Sequence, residues 1–257
     1  MITKTTLLAL DTATEACSVA LLHNGEILAK DELSPKAHTR RILPMIDEVL
    51  SQAGIGLNQL DALVFGRGPG SFTGVRIGCG IVQGLALGAD LPVIAISNLT
   101  AMAQAAYQQF GSTQVLAAID ARMNEVYFSA LRYQPHFIDN QEIDNQEYAD
   151  WHEIIKEQVL PPQAVLQQLQ QQRLLQASAV ETKAEMSVCV GTGWGAYAEF
   201  EQGDQLLKKC DILLPSAQYM LPLAQLQWQR KQYCSALEVE PVYLRNQVTW
   251  KKLPGRE

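Results

Sequence analysis

Only four histidines occur in the 257 residues, and His23, His38, His136 and His152 are scattered. Neither H-E-x-x-H nor any i, i+4 histidine pair exists, so two imidazoles cannot share an ion from one helix face. Cysteine is just as sparse. Cys17, Cys79, Cys189, Cys210 and Cys234 are an odd number without C-x-x-C spacing, which speaks against a disulfide framework or zinc site and for small buried hydrophobes in a reducing compartment. Positive charge is in deficit, with 20 Lys and Arg against 27 Asp and Glu and a net charge of −7. That balance argues against independent binding of nucleic acid, whose phosphates need a basic footprint, although an acidic domain can join such machinery through a basic partner. Long apolar runs are missing too. The stretch before Asp11 is too short for a signal peptide, and none approaches the ~20 residues of a membrane span. A cytoplasmic chain with no membrane partner is the expectation.

What is present is globular: 47% hydrophobic and 18% charged residues, at a length that allows one large domain or two modest ones. "TLLALD" (6–11) reads as a buried strand ending on Asp11. "ACSVALL" and "EILAKDEL" read as two further strands joined by a type I′ turn at Asn24-Gly25. Ile42, Met45, Ile46, Val49 and Leu50 repeat at helical spacing from about His38 to Ala53, with Gly54 as the stop and Pro44 a potential kink. "DALVFG" (61–66) is a strand, "FTGVRIGCGIVQGLALGAD" a helix, "LPVIAIS" a strand, and "NLTAMAQAAYQQ" a helix opened by Asn98. The pattern then returns. "VLAAIDARMNEVYFSALRY" (115–133) repeats the form strand–Asp–turn–strand, and "SVCVGTGWGAY" (187–197) echoes the strand-to-glycine-loop step of "ALVFGRGPGSF". Two echoes in the same order indicate an internal duplication. Residues 134–150 read as a polar connector, and "PPQAVLQQLQQQRLLQ" (161–176) as a glutamine-rich amphipathic helix with a solvated face.

Two such α/β halves, with strand-end Asp residues and glycine loops facing a cleft, describe the duplicated actin-like (sugar kinase/Hsp70/actin) ATPase fold. The expected organisation is an N-terminal lobe over 1–110 and a smaller C-terminal lobe over 111–214. A helix in 215–233 is expected to pack back on the first lobe, followed by a tail over 234–257. In that architecture Asp11 and Asp120 stand where phosphate or metal is held.

"GRGPGSFTGVRIG" (66–78) can cradle phosphate with backbone N–H groups, since glycine lets the chain approach a ligand closely. It is neither a Walker A loop nor a clean dinucleotide fingerprint. The candidate nucleotide or phosphate contacts are Asp11, Thr12, Gly68, Gly70, Ser71, Asp120 and Arg122. Asp11 admits either a capping and turn role or a vestigial nucleotide contact. Ser71 reads best as a helix N-cap, His38 as a cap or surface residue, and Arg122 as a fixed cation at a strand-end turn. In the following helix Gly74 and Gly78 are four apart, as are Gly80, Gly84 and Gly88. This spacing suits close approach of another backbone, either the protein's own sheet or a partner.

The segments "LALDTATEACSVAL", "HTRRILPMIDEVL", "GRGPGSFTGVRIG", "AAIDARMNEVYF" and "EPVYLRNQVTWKKLP" closely resemble the bacterial TsaB (YeaZ) family, from the first strand to the C-terminal tail. The resemblance implies a non-catalytic, actin-like paralogue of TsaD, the enzyme that places threonylcarbamoyl on N6 of adenosine 37 in tRNAs reading codons that begin with A. It implies TsaD as direct partner, TsaE in the same complex, tRNA contacted only through that complex, and a homodimer when alone. The implied interface is Ile42, Met45, Val49, Gly74, Val75, Gly78, Gly80, Ile81, Gly84, Leu85 and Gly88. No metal and no cofactor of its own are expected, and any ATP or ADP contact belongs to the assembled complex. TsaD-type proteins carry His-x-x-x-His on the helix after the glycine-loop unit. Here those positions are Asn98 and Met102, a poor pair for such an ion.

The competing reading is an actin-like enzyme in its own right, a weak ATPase or a glycoprotease-like peptidase. "GPGSFTG" is no G-x-S-x-G nucleophile elbow and Ser71 lacks an evident base. The turn "TATEA" lacks the glycine-and-lysine chemistry that grips a γ-phosphate. Lys251, Lys252 and Arg256 make the tail "WKKLPGRE" basic, either as a solvated end or as a reach toward RNA or an acidic surface.

Overall fold

The apolar run behind Asp11 forms β1 (Leu7–Asp11), buried along its whole length and paired antiparallel with β2 (Ala16–His23). Asn24 and Gly25 take φ of 53° and 85°, as a type I′ turn requires, and return the chain into β3 (Glu26–Leu33). Helix α1 (His38–Ala53) runs on through Pro44 and stops at Gly54, whose left-handed φ of 70° suits glycine. β4 (Ala62–Gly66), α2 (Phe72–Ala89) and β5 (Val93–Ile96) then make a crossover that adds two strands parallel to β1. Helix α3 (Asn98–Phe110) follows. Its cap is Ser97, whose Oγ accepts the Thr100 N–H at 3.3 Å, which frees the Asn98 side chain for another task.

The second half repeats the plan. β6 (Gln114–Arg122) and β7 (Glu125–Tyr133) form a hairpin, then β8 (His136–Asn140) and β9 (Ile143–Tyr148) pair with each other. β10 (Trp151–Leu160), α4 (Pro162–Gln171), β11 (Val188–Val190), the short α5 (Gly193–Ala196), β12 (Lys208–Lys209) and α6 (Met220–Gln229) complete it. The first sheet is ordered β3-β2-β1-β4-β5 and the second β10-β7-β6-β11-β12. Numbered within its own half, each is 3-2-1-4-5, with an antiparallel meander and two added parallel strands. The chain therefore has the duplicated actin-like fold, and the β8–β9 hairpin is an insertion between the second and third strands of the second copy. This overturns the expected connector over 134–150. A hairpin ladder is made by backbone groups, so a polar sequence does not forbid it.

This computed structural model describes residues 5–140, 143–172, 187–201 and 208–245. The end of the glutamine-rich run, and Lys251, Lys252 and Arg256 in the tail, lie outside the described residues.

Four apolar layers build the core. One face of the first sheet buries Leu10, Val19 and Phe65 under Ile42, Met45 and Val49 of α1 and Val82 and Ala86 of α2. The opposite face packs Val64 and Ile94 against Ala101 of α3 and Leu221 of α6. The other side of α3, with Leu99, Met102 and Ala106, packs onto Val115, Ile119 and Val190 of the second sheet. Thus α3 fills the space between the sheets. The far face of the second sheet is closed by α4, Phe200 and the buried Trp194, whose Nε1 donates to the Leu116 carbonyl at 3.0 Å. Burial of each large aliphatic side chain in these layers stabilises the fold by about 1.5–3 kcal/mol.

Helix α2 reaches a mean hydropathy of 1.3 over 18 residues, enough by length and composition for a membrane span, where no such segment was expected. Its inner face, with Gly74, Val75, Gly78, Cys79, Val82 and Ala86, is buried against the first sheet.

Candidate functional site

The two strand–Asp–turn units and the two glycine loops meet across a cleft of about 750 Å³ between the lobes. Ala13, Thr14 and Glu15 of the β1–β2 turn line it, with Gly70, Ser71 and Phe72 at the start of α2. From the second half come Asp120, Arg122 and Tyr127 of the β6–β7 hairpin and Gly191, Thr192 and Gly195 of the second glycine loop. Arg245, from the segment after α6, stands at the same cleft.

Of the seven candidate nucleotide contacts, Gly70, Ser71, Asp120 and Arg122 reach this cleft, and Asp11, Thr12 and Gly68 do not. Asp11 is 1% exposed. Its Oδ1 accepts a 2.7 Å hydrogen bond from Asn98 Nδ2, and Oδ2 accepts the Ala13 N–H at 3.3 Å. Burial pushes the Asp11 carboxyl up to about 7, against the pull of those hydrogen bonds. Thr12 is turned inward as well, donating from Oγ1 to the Gly74 carbonyl at 2.7 Å. Gly68, at φ +97°, packs against the Val242 carbonyl, and its N–H donates to Asn98 Oδ1 at 2.9 Å. Asn98 therefore bridges the strand-end carboxyl and the glycine loop from inside the protein. A Cβ on Gly66 would lie 2.0 Å from Asp11 Oδ1, so this loop is glycine because the buried carboxyl occupies the space.

Asn98 and Met102, at the positions where the resemblance to TsaD-type proteins implies ligands, do not fit a metal. Asn98 spends both ends of its amide on Asp11 and Gly68, and the Met102 side chain is fully buried in the apolar layer against the second sheet. Among the described residues no three of His, Cys, Asp and Glu stand close enough to share an ion.

Ser71 caps α2, its Oγ accepting the Gly74 N–H at 3.3 Å. Asp120 is engaged as a turn residue. Its Oδ1 accepts the Arg122 N–H at 2.9 Å and the Tyr197 hydroxyl at 2.7 Å. Burial, with the Asp120 carboxylate second, pushes the Tyr197 phenol up to about 12. Arg122, 76% exposed, lies 3.0 Å from Asp120 and 3.7 Å from Glu15 on the opposite lobe. His38 is neither a cap nor a surface residue. It is buried, and its Nε2 donates to the Thr14 carbonyl at 2.8 Å, holding the β1–β2 turn.

The expected interface residues divide by face. Ile42, Met45, Val49 and Val75 are at most 3% exposed, in the protein's own core. Gly74 and Gly78 are also internal, since a Cβ there would lie 2.1 Å from the Thr12 carbonyl oxygen and 2.8 Å from Thr12 Oγ1. These six contact the chain itself and are corrected out of the partner surface. Helical spacing marks an apolar stripe, and the stripe that a sheet needs is the inner one. Gly80, Gly84 and Gly88 have nothing within 4 Å of an added Cβ. They lie on the outer face of α2 with the exposed Leu87, while Ile81 and Leu85 are partly buried at its margin.

Sequence reasoning missed Asn98 as the partner of Asp11, Tyr197 as the partner of Asp120, and Arg245. The strand–Ser–Asn opening of α3 was visible, but a cap reading absorbed it. Arg245 gave no local signal, because its contacts lie more than a hundred residues away.

Two duplicated actin-like lobes facing each other across a cleft, with the strand-end carboxyl of Asp11 turned inward, define the class of protein. Residues 27–253 match the family model described as "TsaD: tRNA N6-adenosine threonylcarbamoyltransferase". The chain is 57% identical over 252 residues to the tRNA threonylcarbamoyladenosine biosynthesis protein TsaB of Haemophilus influenzae, covering 98% of each. It is 47% identical to the protein of the same name from Escherichia coli, covering 98% of this chain and 99% of the other. The structure of YeaZ from Pseudomonas aeruginosa superposes with a TM-score of 0.74 at 42% identity, over 94% of this chain and all of that one. A second Pseudomonas aeruginosa structure, described as similar to peptidase YEAZ, gives a TM-score of 0.75 at 41% identity with the same coverage. The chain belongs to the TsaB (YeaZ) family.

Proposed function

We propose that the chain is a non-catalytic subunit of the cytoplasmic machinery that makes threonylcarbamoyladenosine in tRNA, completing the metal-bearing transferase TsaD. The observation that carries this reading is the state of Asn98 and Met102. Restoring ligands there would break the Asn98 bridge to Asp11 and Gly68 and place a polar ring in the apolar layer around Met102. The peptidase alternative finds no support at Ser71, whose hydroxyl is spent on its helix cap. TsaE joins the same complex, and tRNA is met only through it, in keeping with the net charge of −7.

The partner surface is the outer face of α2, with Gly80, Gly84, Leu87 and Gly88. Each glycine in a helix costs about 1 kcal/mol relative to alanine. Gly80, Gly84 and Gly88 incur that cost with nothing of their own chain to make room for. A second backbone approaching closely accounts for it: a second copy in the free protein, TsaD in the assembly. Nucleotide contact, through Gly70, Ser71 and above all Arg122, belongs to the assembly.

The test is to assay the isolated chain for ATP hydrolysis and peptide cleavage with divalent metals, and to pass it over immobilised TsaD. Retention on TsaD without turnover is expected. Metal-dependent turnover lost in an Asp11→Ala variant would overturn the reading.

A further inference from the structure

The segment after α6, as far as Arg245, does not stay on the lobe where it begins. Cys234 exchanges two 2.9 Å backbone hydrogen bonds with Val93 on edge strand β5. Ala236 and Val239 then enter the core beneath α2, and the Val239 carbonyl accepts from Gln83 at 3.0 Å. Further on, the Val242 N–H donates to the Arg67 carbonyl at 2.9 Å, beside the glycine loop. Tyr243 is fixed by Arg76, whose Nε donates to its hydroxyl at 2.7 Å. Up to this point the segment belongs wholly to the first lobe.

At Arg245 it crosses over. The guanidinium pairs with the Glu125 carboxylate, donates to the Arg122 carbonyl at 3.4 Å, and meets the Met123 sulfur at 3.5 Å. All three belong to the β6–β7 turn of the second lobe, and Arg122 lines the cleft. The Arg245 side chain is only 17% exposed, so this pair is shielded more than a surface ion pair. The turn it grips is conformationally demanding: Arg122, Met123 and Asn124 all have φ near +60°. Arg67, whose carbonyl holds Val242, sends its guanidinium 3.0 Å to Glu157 on β10. Glu157 also accepts from Ser97. One residue, Arg67, thus ties the strap, the glycine loop and the second lobe together.

We propose that residues 234–245 form a strap that sets the width of the inter-lobe cleft, with Arg245–Glu125 as its catch and Arg67–Glu157 as a second tie between the lobes. In two-lobed folds relative lobe motion is the default unless the interface is large. Here α3 supplies the fixed floor, and the catch holds the mouth. Releasing the catch frees the β6–β7 turn and widens the cleft without unfolding either lobe.

The test is hydrogen exchange of the full-length protein against Arg245→Gln, Glu125→Gln and the charge-swapped pair Arg245→Glu with Glu125→Arg. Loss of a charge-assisted contact raises exchange by about ten-fold or more where opening is local. The gain is expected at the amides of Arg122 and Val242, with β1 and β6 protected as before, and the swapped pair is expected to recover most of the protection. Unchanged exchange at both amides, or a parallel loss of protection in β1 and β6, would overturn the proposal. The first outcome would mean that the catch carries no load. The second would mean that it is part of global stability. Neither outcome touches the assignment to tRNA modification, which this experiment does not read.

Discussion

Asp11→Asn tests whether the strand-end carboxyl is structural. In the folded chain burial raises its pKa from 3.8 to about 7, despite the hydrogen bond from Asn98. A raised carboxyl pKa means the folded state holds a proton that the unfolded state has already lost between about pH 4 and pH 7. Stability from this group is therefore complete below about pH 4, falls as the pH rises through the window, and levels off above about pH 7. At about 1.4 kcal/mol per pH unit, holding the ionised form inside costs about 4 kcal/mol at the upper plateau, and between pH 5 and pH 8 the change is about 2–3 kcal/mol. Asparagine keeps an acceptor for Asn98 and carries no charge, at the cost of the backbone N–H contacts from Thr12 and Ala13 to the carboxylate. Urea unfolding of both proteins at pH 5 and pH 8 is the assay. The variant is expected to gain about 2–3 kcal/mol on the parent between the two pH values. An unchanged difference would refute the reasoning, because it would mean that Asp11 ionises in the fold as freely as in water.

The two faces of α2 separate by substitution. Gly74→Ala sets a methyl 2.1 Å from the Thr12 carbonyl oxygen and is expected to lower stability by about 1–3 kcal/mol or more in thermal unfolding. Gly84→Leu meets nothing in its own chain, so its melting should match the parent while sedimentation shows lost self-association and TsaD capture fails; a folded, dimeric, TsaD-competent variant would remove this face from the interface. Ser97→Ala deletes the cap of α3 and its contact to Glu157, at a cost of about 1 kcal/mol from the cap alone in urea unfolding. Arg122→Ala, at an exposed turn, is expected to leave unfolding nearly unchanged and to lower turnover of the assembled system, and unchanged turnover would count against its nucleotide role.

The duplicated fold was legible because its signals are local. Apolar runs end on Asp11 and Asp120, Asn24-Gly25 forms the turn, and glycines stop the helices. Strand β10 was not legible, because register shifts between Glu153 and Ile155 and between Ile155 and Gln158 break the two-residue alternation that marks a strand. The cleft was legible in outline only. Gly70, Ser71, Asp120 and Arg122 line it, whereas Asp11 and Thr12 turn inward to partners 87 and 62 residues away that spacing along the chain cannot reveal. Face assignment on α2 failed for a related reason. Periodicity finds a stripe but does not say which side the sheet takes, and the contacts of an added Cβ decide it at Gly74 and Gly84.

The central claim is that this chain completes a transferase without performing its chemistry. Reconstituted threonylcarbamoylation of tRNA, with TsaD and TsaE held constant and this chain added or withheld, reads that claim directly. The account predicts turnover only when the chain is present, retained when Asp11 is changed to Asn and lost when Gly84 is changed to Leu. Full turnover without the chain, or loss of turnover in a folded Asp11→Asn protein that still binds TsaD, would contradict it.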